Sequence, residues 1–217
     1  RVLFYPAHAR VPAPQHGSVG CVWPGCDGGP GRVGRLVAEG AAADSGRPYE
    51  LHPEVPLEGM SYEEYFPPAY LSRIESSPWR PLAEEAGLVM KRGTRLINTR
   101  LALSAAEFAR EHGLFDAMHL ALFKAYWEQT GDIESVEGLK EIATEVGLEP
   151  DAMAAELEAG RYEDILDANR REATQVGING IPAHVFGLRY LVMGAQPYDI
   201  LKQAVDKVAA EQTPEDC

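Results

Sequence analysis

Apolar residues recur at steps of three and four through the middle of the chain and at steps of two only near its ends. This predicts a helical block set between short strands. The block runs from Ser61 to about Gln175. Within it, Ser104-Ala-Ala-Glu107 has the spacing of a capping box, in which the hydroxyl accepts from the third amide and the glutamate reaches back. Phe115, Met118, Leu122 and Tyr126 then mark the buried face of the helix that Ser104 begins. Val136, Leu139, Ala143 and Val146 form a second stripe that stops at Gly147. Met153 and Leu157 mark a third helix, and Ile165, Leu166 and Asn169 a fourth that runs toward Val176.

The period changes after that block. Gly177 to Pro182 is a breaker-rich loop, Ala183–Phe186 and Tyr190–Met193 read as strands, and Gly187-Leu-Arg189 is the tight turn between them. Pro197 launches a closing helix with Ile200, Leu201, Ala204, Val205 and Val208 on its inner side. The first 48 residues are crowded with glycine and proline. There only Val2–Tyr5 reads as a strand and only Arg32–Ala43 as a short helix, weakened by Gly34 and Gly40. Pro48–Pro53 is a further short strand, closed by its second proline.

At 217 residues the chain suits one core, or one domain carrying an insertion. Its 20 basic and 33 acidic residues give a net charge of -13, with no Lys/Arg cluster, which excludes nucleic acid as a partner. No apolar run reaches the roughly 18 residues of a membrane span. The start, Arg-Val-Leu-Phe-Tyr, has neither an initiator methionine nor the apolar stretch of a signal peptide. Three cysteines do not make a disulfide scaffold. Two of them, Cys21 and Cys26, enclose Val-Trp-Pro-Gly, whereas Cys217 is a leftover thiol at the end of the chain.

The order of strand, helix, strand, hairpin and helix is that of a thioredoxin fold, here interrupted by helices. Gly180-Ile-Pro-Ala-His-Val-Phe186, Tyr190-Leu-Val-Met-Gly-Ala-Gln-Pro197 and Pro48-Tyr-Glu-Leu-His-Pro-Glu-Val-Pro-Leu-Glu-Gly59 resemble the DsbA family of thiol-disulfide oxidoreductases. The closest branch is the FrnE-like one, related to 2-hydroxychromene-2-carboxylate isomerases. Leu96-Ile-Asn-Thr-Arg100 in the helical block is similar to the same branch, and the likeness covers roughly residues 47–210.

The resemblance implies an α/β thioredoxin fold with an inserted all-helical domain: residues 1–60 and 176–217 form the thioredoxin-like part, 61–175 the insertion. It implies dithiol-disulfide exchange with protein thiols and disulfides, with no cofactor or metal, in a cytoplasmic monomer or homodimer. Glutathione is the co-substrate that the isomerase alternative requires. Ile181 and Pro182 correspond to the family's cis-proline loop, which binds the substrate chain and faces a Cys-x-x-Cys at the start of the first helix. In that setting the helix terminus lowers the attacking thiol's pKa.

The Cys-x-x-Cys itself is absent, and His8-Ala-Arg-Val-Pro12 stands in its place. By family precedent Cys21 becomes the nucleophile and Cys26 the resolving cysteine. A disulfide needs the two alpha carbons within about 7 Å. Pro24-Gly25 supplies the central residues of a type II turn that allows such closure. A zinc site completed by His8 and His16 fits no common spacing. His52, His112 and His119 read as surface or satisfied core residues. The isomerase alternative has Ser18 as its nucleophile, and a non-catalytic peptide-binding module would use the Pro182 loop alone.

The N-terminal tract has a further explanation. Its Gly, Pro, Ala and Arg join the family-like sequence abruptly at Arg47-Pro48, as translation of GC-rich DNA in a shifted frame would produce. His8-Ala-Arg-Val-Pro12 can be encoded by bases that, read out of frame with one base restored, spell Cys-Pro-Trp-Cys.

Overall fold

The computed structural model describes residues 15–20, 35–36, 39, 43–44, 46–75, 89–91, 93 and 95–211. A five-stranded sheet is built from both ends of that range: β1 (Gln15–Gly20), β2 (Ala43–Asp44), β3 (Arg47–Pro48), and the hairpin formed by Ala183–Phe186 and Tyr190–Met193. β1 pairs in parallel with β2 and β3 along one edge and antiparallel with Ala183–Phe186 along the other. The sequence reading places no strand at Gln15–Gly20. A segment containing Gly17, Ser18 and Gly20 has weak strand propensity, and backbone pairing on both edges overrides it. The expected strand Val2–Tyr5 lies outside the described residues.

Two further expectations shift. Ala43, read as the end of a helix, lies in β2, while Arg35 and Leu36 are helical. The strand expected over Pro48–Pro53 is confined to Arg47–Pro48. From Tyr49 the side chains are engaged elsewhere: Tyr49 in the core and Glu50 in a charge network.

Between the sheet's two halves the chain is mostly helical. A small ribbon pairs β4 (Met60–Ser61) with β5 (Arg95–Leu96), and Met60–Ser61 leads into α1 (Tyr62–Tyr65) and α2 (Pro68–Glu75). There follow α3 (Arg100–Glu111), α4 (Phe115–Glu128), α5 (Val136–Val146), α6 (Pro150–Glu158) and α7 (Glu163–Gln175). β6 (Ala183–Phe186), β7 (Tyr190–Met193) and α8 (Tyr198–Glu211) close the fold.

The capping box is at Ser61, not Ser104. Ser61 Oγ accepts from the Glu64 amide at 3.2 Å while the Ser61 amide donates to Glu64 at 3.0 Å. Ser104 sits buried in the middle of α3. That helix starts four residues earlier, where the Asn98 side chain accepts from the Arg100 amide at 3.0 Å. The helix read as continuous through Tyr126 is also two helices, divided at Gly113, whose φ of +72° suits glycine. Ser61→Ala is expected to destabilise the protein by about 1 kcal/mol, read as a lower urea midpoint; an unchanged midpoint would show that the cap contributes nothing.

Burial explains the arrangement. α3 is rich in alanine, so neighbouring helices approach closely, and Ala102, Ala105, Ala106, Phe108 and Ala109 share one core with Met118, Leu122, Leu139, Ala143, Met153 and Leu157. Along β6 the side chains alternate as a two-sided strand requires. Ala183 and Val185 face a core with Tyr49, Leu103, Leu166, Ala173 and Ile178, whereas Phe186 faces Leu36, Leu201, Val205 and Val208. The sheet is thereby covered on one face by α3 and α7 and on the other by α8. Ile200, expected on the inner side of α8, is 41% exposed. Leu201, Val205 and Val208 carry that face instead.

Candidate functional site around the Ile181–Pro182 loop

The loop between α7 and β6 is fixed from both ends. α7 stops where Gly177 takes a φ of +84°, and the Ile178 amide donates back to the Ala173 carbonyl at 2.9 Å. Ile178 is buried and anchors the loop, leaving Asn179 exposed. The Ile181–Pro182 peptide bond is cis. Ile181 is half-buried against the core that holds Tyr49, and Pro182 is buried.

The hairpin returns the chain to the same place. The Gly194 amide donates to the Pro182 carbonyl at 2.8 Å, and Gln196 Nε2 donates to the Met193 carbonyl at 2.8 Å. Gly194 has a φ of +78°, which gives the segment its turn into α8. Gly180-Ile-Pro182 and Gly194-Ala-Gln-Pro197, separated in sequence, therefore form one structural unit.

The third neighbour is the end of β1. Val19 pairs with Ala183 and Arg47, and Gly20 with Pro48. Continuing the antiparallel register by one residue sets Gly20 opposite Pro182. Cys21 follows Gly20 in the sequence. Cys21, Cys26 and Cys217 themselves lie outside the described residues, as does His8. Ser18 pairs with His184 within β1, so it is not at a helix start, where the isomerase alternative needs its nucleophile. His16 is also a β1 residue, opposite Phe186.

Sequence reasoning missed the residues that hold the segment between β3 and β4. Arg100 donates to Glu50 at 2.7 Å, to Asp167 at 3.0 Å and to Glu163. Burial works against its charge, but the hydrogen bonds it donates to Glu163 and Asp167 raise its pKa above the ordinary guanidinium value. Asn98 Nδ2 donates to the Val55 carbonyl at 2.7 Å, and Arg95 donates to the Glu58 carbonyl at 2.9 Å. Arg47 pairs with Glu172 at 2.8 Å, while Asn169 donates to the Pro48 carbonyl at 3.3 Å. The only sequence signal for these clamps was the family-like Leu96–Arg100 stretch.

Of the three histidines set aside as ligands, His112 contacts the Phe108 carbonyl at 2.8 Å, and the ring of His119 stacks on Phe115. His52 Nδ1 lies 2.9 Å from the Tyr65 hydroxyl, which donates to Glu54. Burial lowers the His52 pKa from the ordinary value, with Glu54 acting in the opposite direction. The Tyr65 hydrogen bond holds Glu54 below the usual carboxylate range, and burial with that same bond pushes Tyr65 up to about 12.

Because folded His52 takes up a proton less readily than the unfolded chain, its contribution to stability is present above the unfolded value of 6.5. It is lost as pH falls through the lower folded value. The urea midpoint should fall more between about pH 7 and pH 5 in the wild type than in His52→Gln; equal falls would contradict this assignment.

Comparison with known proteins fits this geometry. Residues 46–206 match the model of the DSBA-like thioredoxin domain. Over 93% of this chain and 92% of the other, the structure resembles a probable DsbA oxidoreductase from Streptomyces coelicolor, with a TM-score of 0.76 and 23% identity. A 2-hydroxychromene-2-carboxylate isomerase aligns over 91% of this chain and 97% of its own, with a TM-score of 0.69 and 14% identity. The protein YwbO of Bacillus subtilis (strain 168) is 25% identical over 108 residues, 49% of this chain. That match spans about half (54%) of the length of YwbO. Among the described residues, no helix is long and apolar enough to cross a membrane.

Proposed function

Since this chain belongs to the DSBA-like thioredoxin domain family, we propose that it catalyses thiol-disulfide exchange on protein substrates, with Cys21 as nucleophile and Cys26 as resolving cysteine. The supporting observation is the unit formed by Pro182 and Gly194 beside the end of β1, the strand that runs directly into Cys21 in the sequence.

The chemistry is two successive exchanges. The Cys21 thiolate attacks one sulfur of a substrate disulfide, forming an S–S bond to that sulfur while the substrate S–S bond breaks and the departing thiolate takes a proton. The Cys26 thiolate then attacks Cys21 Sγ, closing a Cys21–Cys26 bond and releasing the second substrate thiol. Two electrons pass from the cysteine pair to the substrate, and a low-molecular-weight thiol such as glutathione returns the pair to its reduced state. In this reading Ile181 and Pro182 present their backbone to the substrate chain. The cytoplasm is the proposed compartment, because its reducing pool keeps such a pair available as thiols.

Insulin reduction by the purified protein tests the proposal. Precipitation of the released B chain well ahead of the dithiothreitol-only control is the expected result. A rate equal to that control would refute catalysis.

A further inference from the structure

The sequence from Tyr49 to Ser72 carries Glu50, Glu54, Glu58, Glu63 and Glu64 and contains neither lysine nor arginine. It is also where aromatic rings gather. Phe66 stacks on Tyr70 with centroids 4.6 Å apart, meets Tyr65 edge-on at 4.7 Å, and has Tyr62 at 6.2 Å and His52 at 6.1 Å. Among the described residues, none of these rings belongs to the three buried cores. Tyr70 is 38% exposed, and Leu57 in the same segment is 74% exposed.

We propose that this face binds unfolded polypeptide segments in which lysine or arginine alternates with apolar or aromatic residues. This names the substrate class and rests on the reading that the protein acts on protein chains.

Three observations fix the occupant. The segment's own charges are of one sign: Glu58 and Glu63 are exposed, Arg95, which reaches it from β5, is paired with Glu134, and the whole chain carries -13, so a cationic segment is attracted and an anionic one repelled. Aromatic faces attract guanidinium and ammonium groups as well as apolar side chains. Finally, the surface is preformed, which cuts the ordering cost of binding. Its backbone is tied by Arg95 at Glu58, by Asn98 at Val55 and by the β4–β5 ribbon, while Arg100 holds the side chain of Glu50. The segment starts at the substrate end of the fold, since Tyr49 and Leu51 share a core with Ile181.

The test uses two labelled, cysteine-free peptides, one alternating lysine with leucine and tryptophan and the other with glutamate in place of lysine, read by fluorescence anisotropy on the full chain. The lysine peptide should bind at least tenfold more tightly than its glutamate counterpart. Tyr70→Ser and the charge-reversing pair Glu58→Lys with Glu63→Lys, all at exposed positions, should each weaken it severalfold. Equal binding of the two peptides, or undiminished binding by both variants, would overturn the proposal. Lacking cysteine, the peptides report on this surface alone; insulin reduction reports on the exchange reaction.

Discussion

Arg100→Ala should lower the stability of the fold by about 3–5 kcal/mol, the scale for removing one partner of a buried ion pair. For a chain of this size that corresponds to a fall in Tm of roughly 10 °C. Glu50 is only 3% exposed, and the Arg100 guanidinium reaches it at 2.7 Å. Without the guanidinium, the carboxylate remains buried without its charge partner, and helix α7 loses the cation between Glu163 and Asp167. Arg100→Lys keeps the charge but cannot span three carboxylates with a planar fork, so it should restore only part of the loss. Glu50→Gln in the Arg100→Ala background should recover stability, because the stranded charge is then gone. Urea unfolding of the single and double variants checks the coupling. A wild-type midpoint for Arg100→Ala would show that the network contributes nothing.

Cys21→Ser should reduce insulin reduction to the uncatalysed rate. A serine hydroxyl is neither ionised at neutral pH nor a competent nucleophile toward sulfur, so no mixed disulfide forms. Cys26→Ser should instead leave the first exchange intact and accumulate a mixed disulfide between Cys21 and the substrate, visible as an added mass that dithiothreitol removes. Cys217→Ser should behave as wild type. Retained activity in Cys21→Ser would remove that residue from the mechanism.

The parts of this fold legible in the sequence were those governed by local chemistry. Gly147 ends α5 in the left-handed conformation expected of a C-cap glycine, with a φ of +85°. The strands at Ala183–Phe186 and Tyr190–Met193 flank a turn closed by the Arg189 amide on the Phe186 carbonyl at 3.0 Å. What failed depended on tertiary contacts. β1 is a strand because its two edges are paired, not because its residues favour one. Ser104 matched the capping-box spacing, yet Asn98 had already started the helix, and Ser61 makes the real box.

For the site, the Ile181–Pro182 loop was legible through its resemblance to a family; the clamp made by Arg95, Asn98 and Arg100 was not. Its partners are 37–67 residues away in sequence, beyond the reach of any local pattern. The family match begins at residue 46, beside the composition change at Arg47-Pro48, so the cysteine pair falls in the part of the chain that family likeness does not cover. The shifted-frame explanation for residues 6–47 expects a compensating pair of frame changes in the coding DNA; an intact single frame in close relatives would refute it.

The most direct test of the exchange mechanism is the redox state of the two cysteines themselves. The protein is equilibrated in glutathione buffers of graded potential, alkylated, and mapped by mass across residues 1–48. The account predicts one two-electron transition in which Cys21 and Cys26 pass together from two alkylated thiols to a single intramolecular disulfide. Cysteines that stay unbridged at every potential and resist alkylation would contradict it.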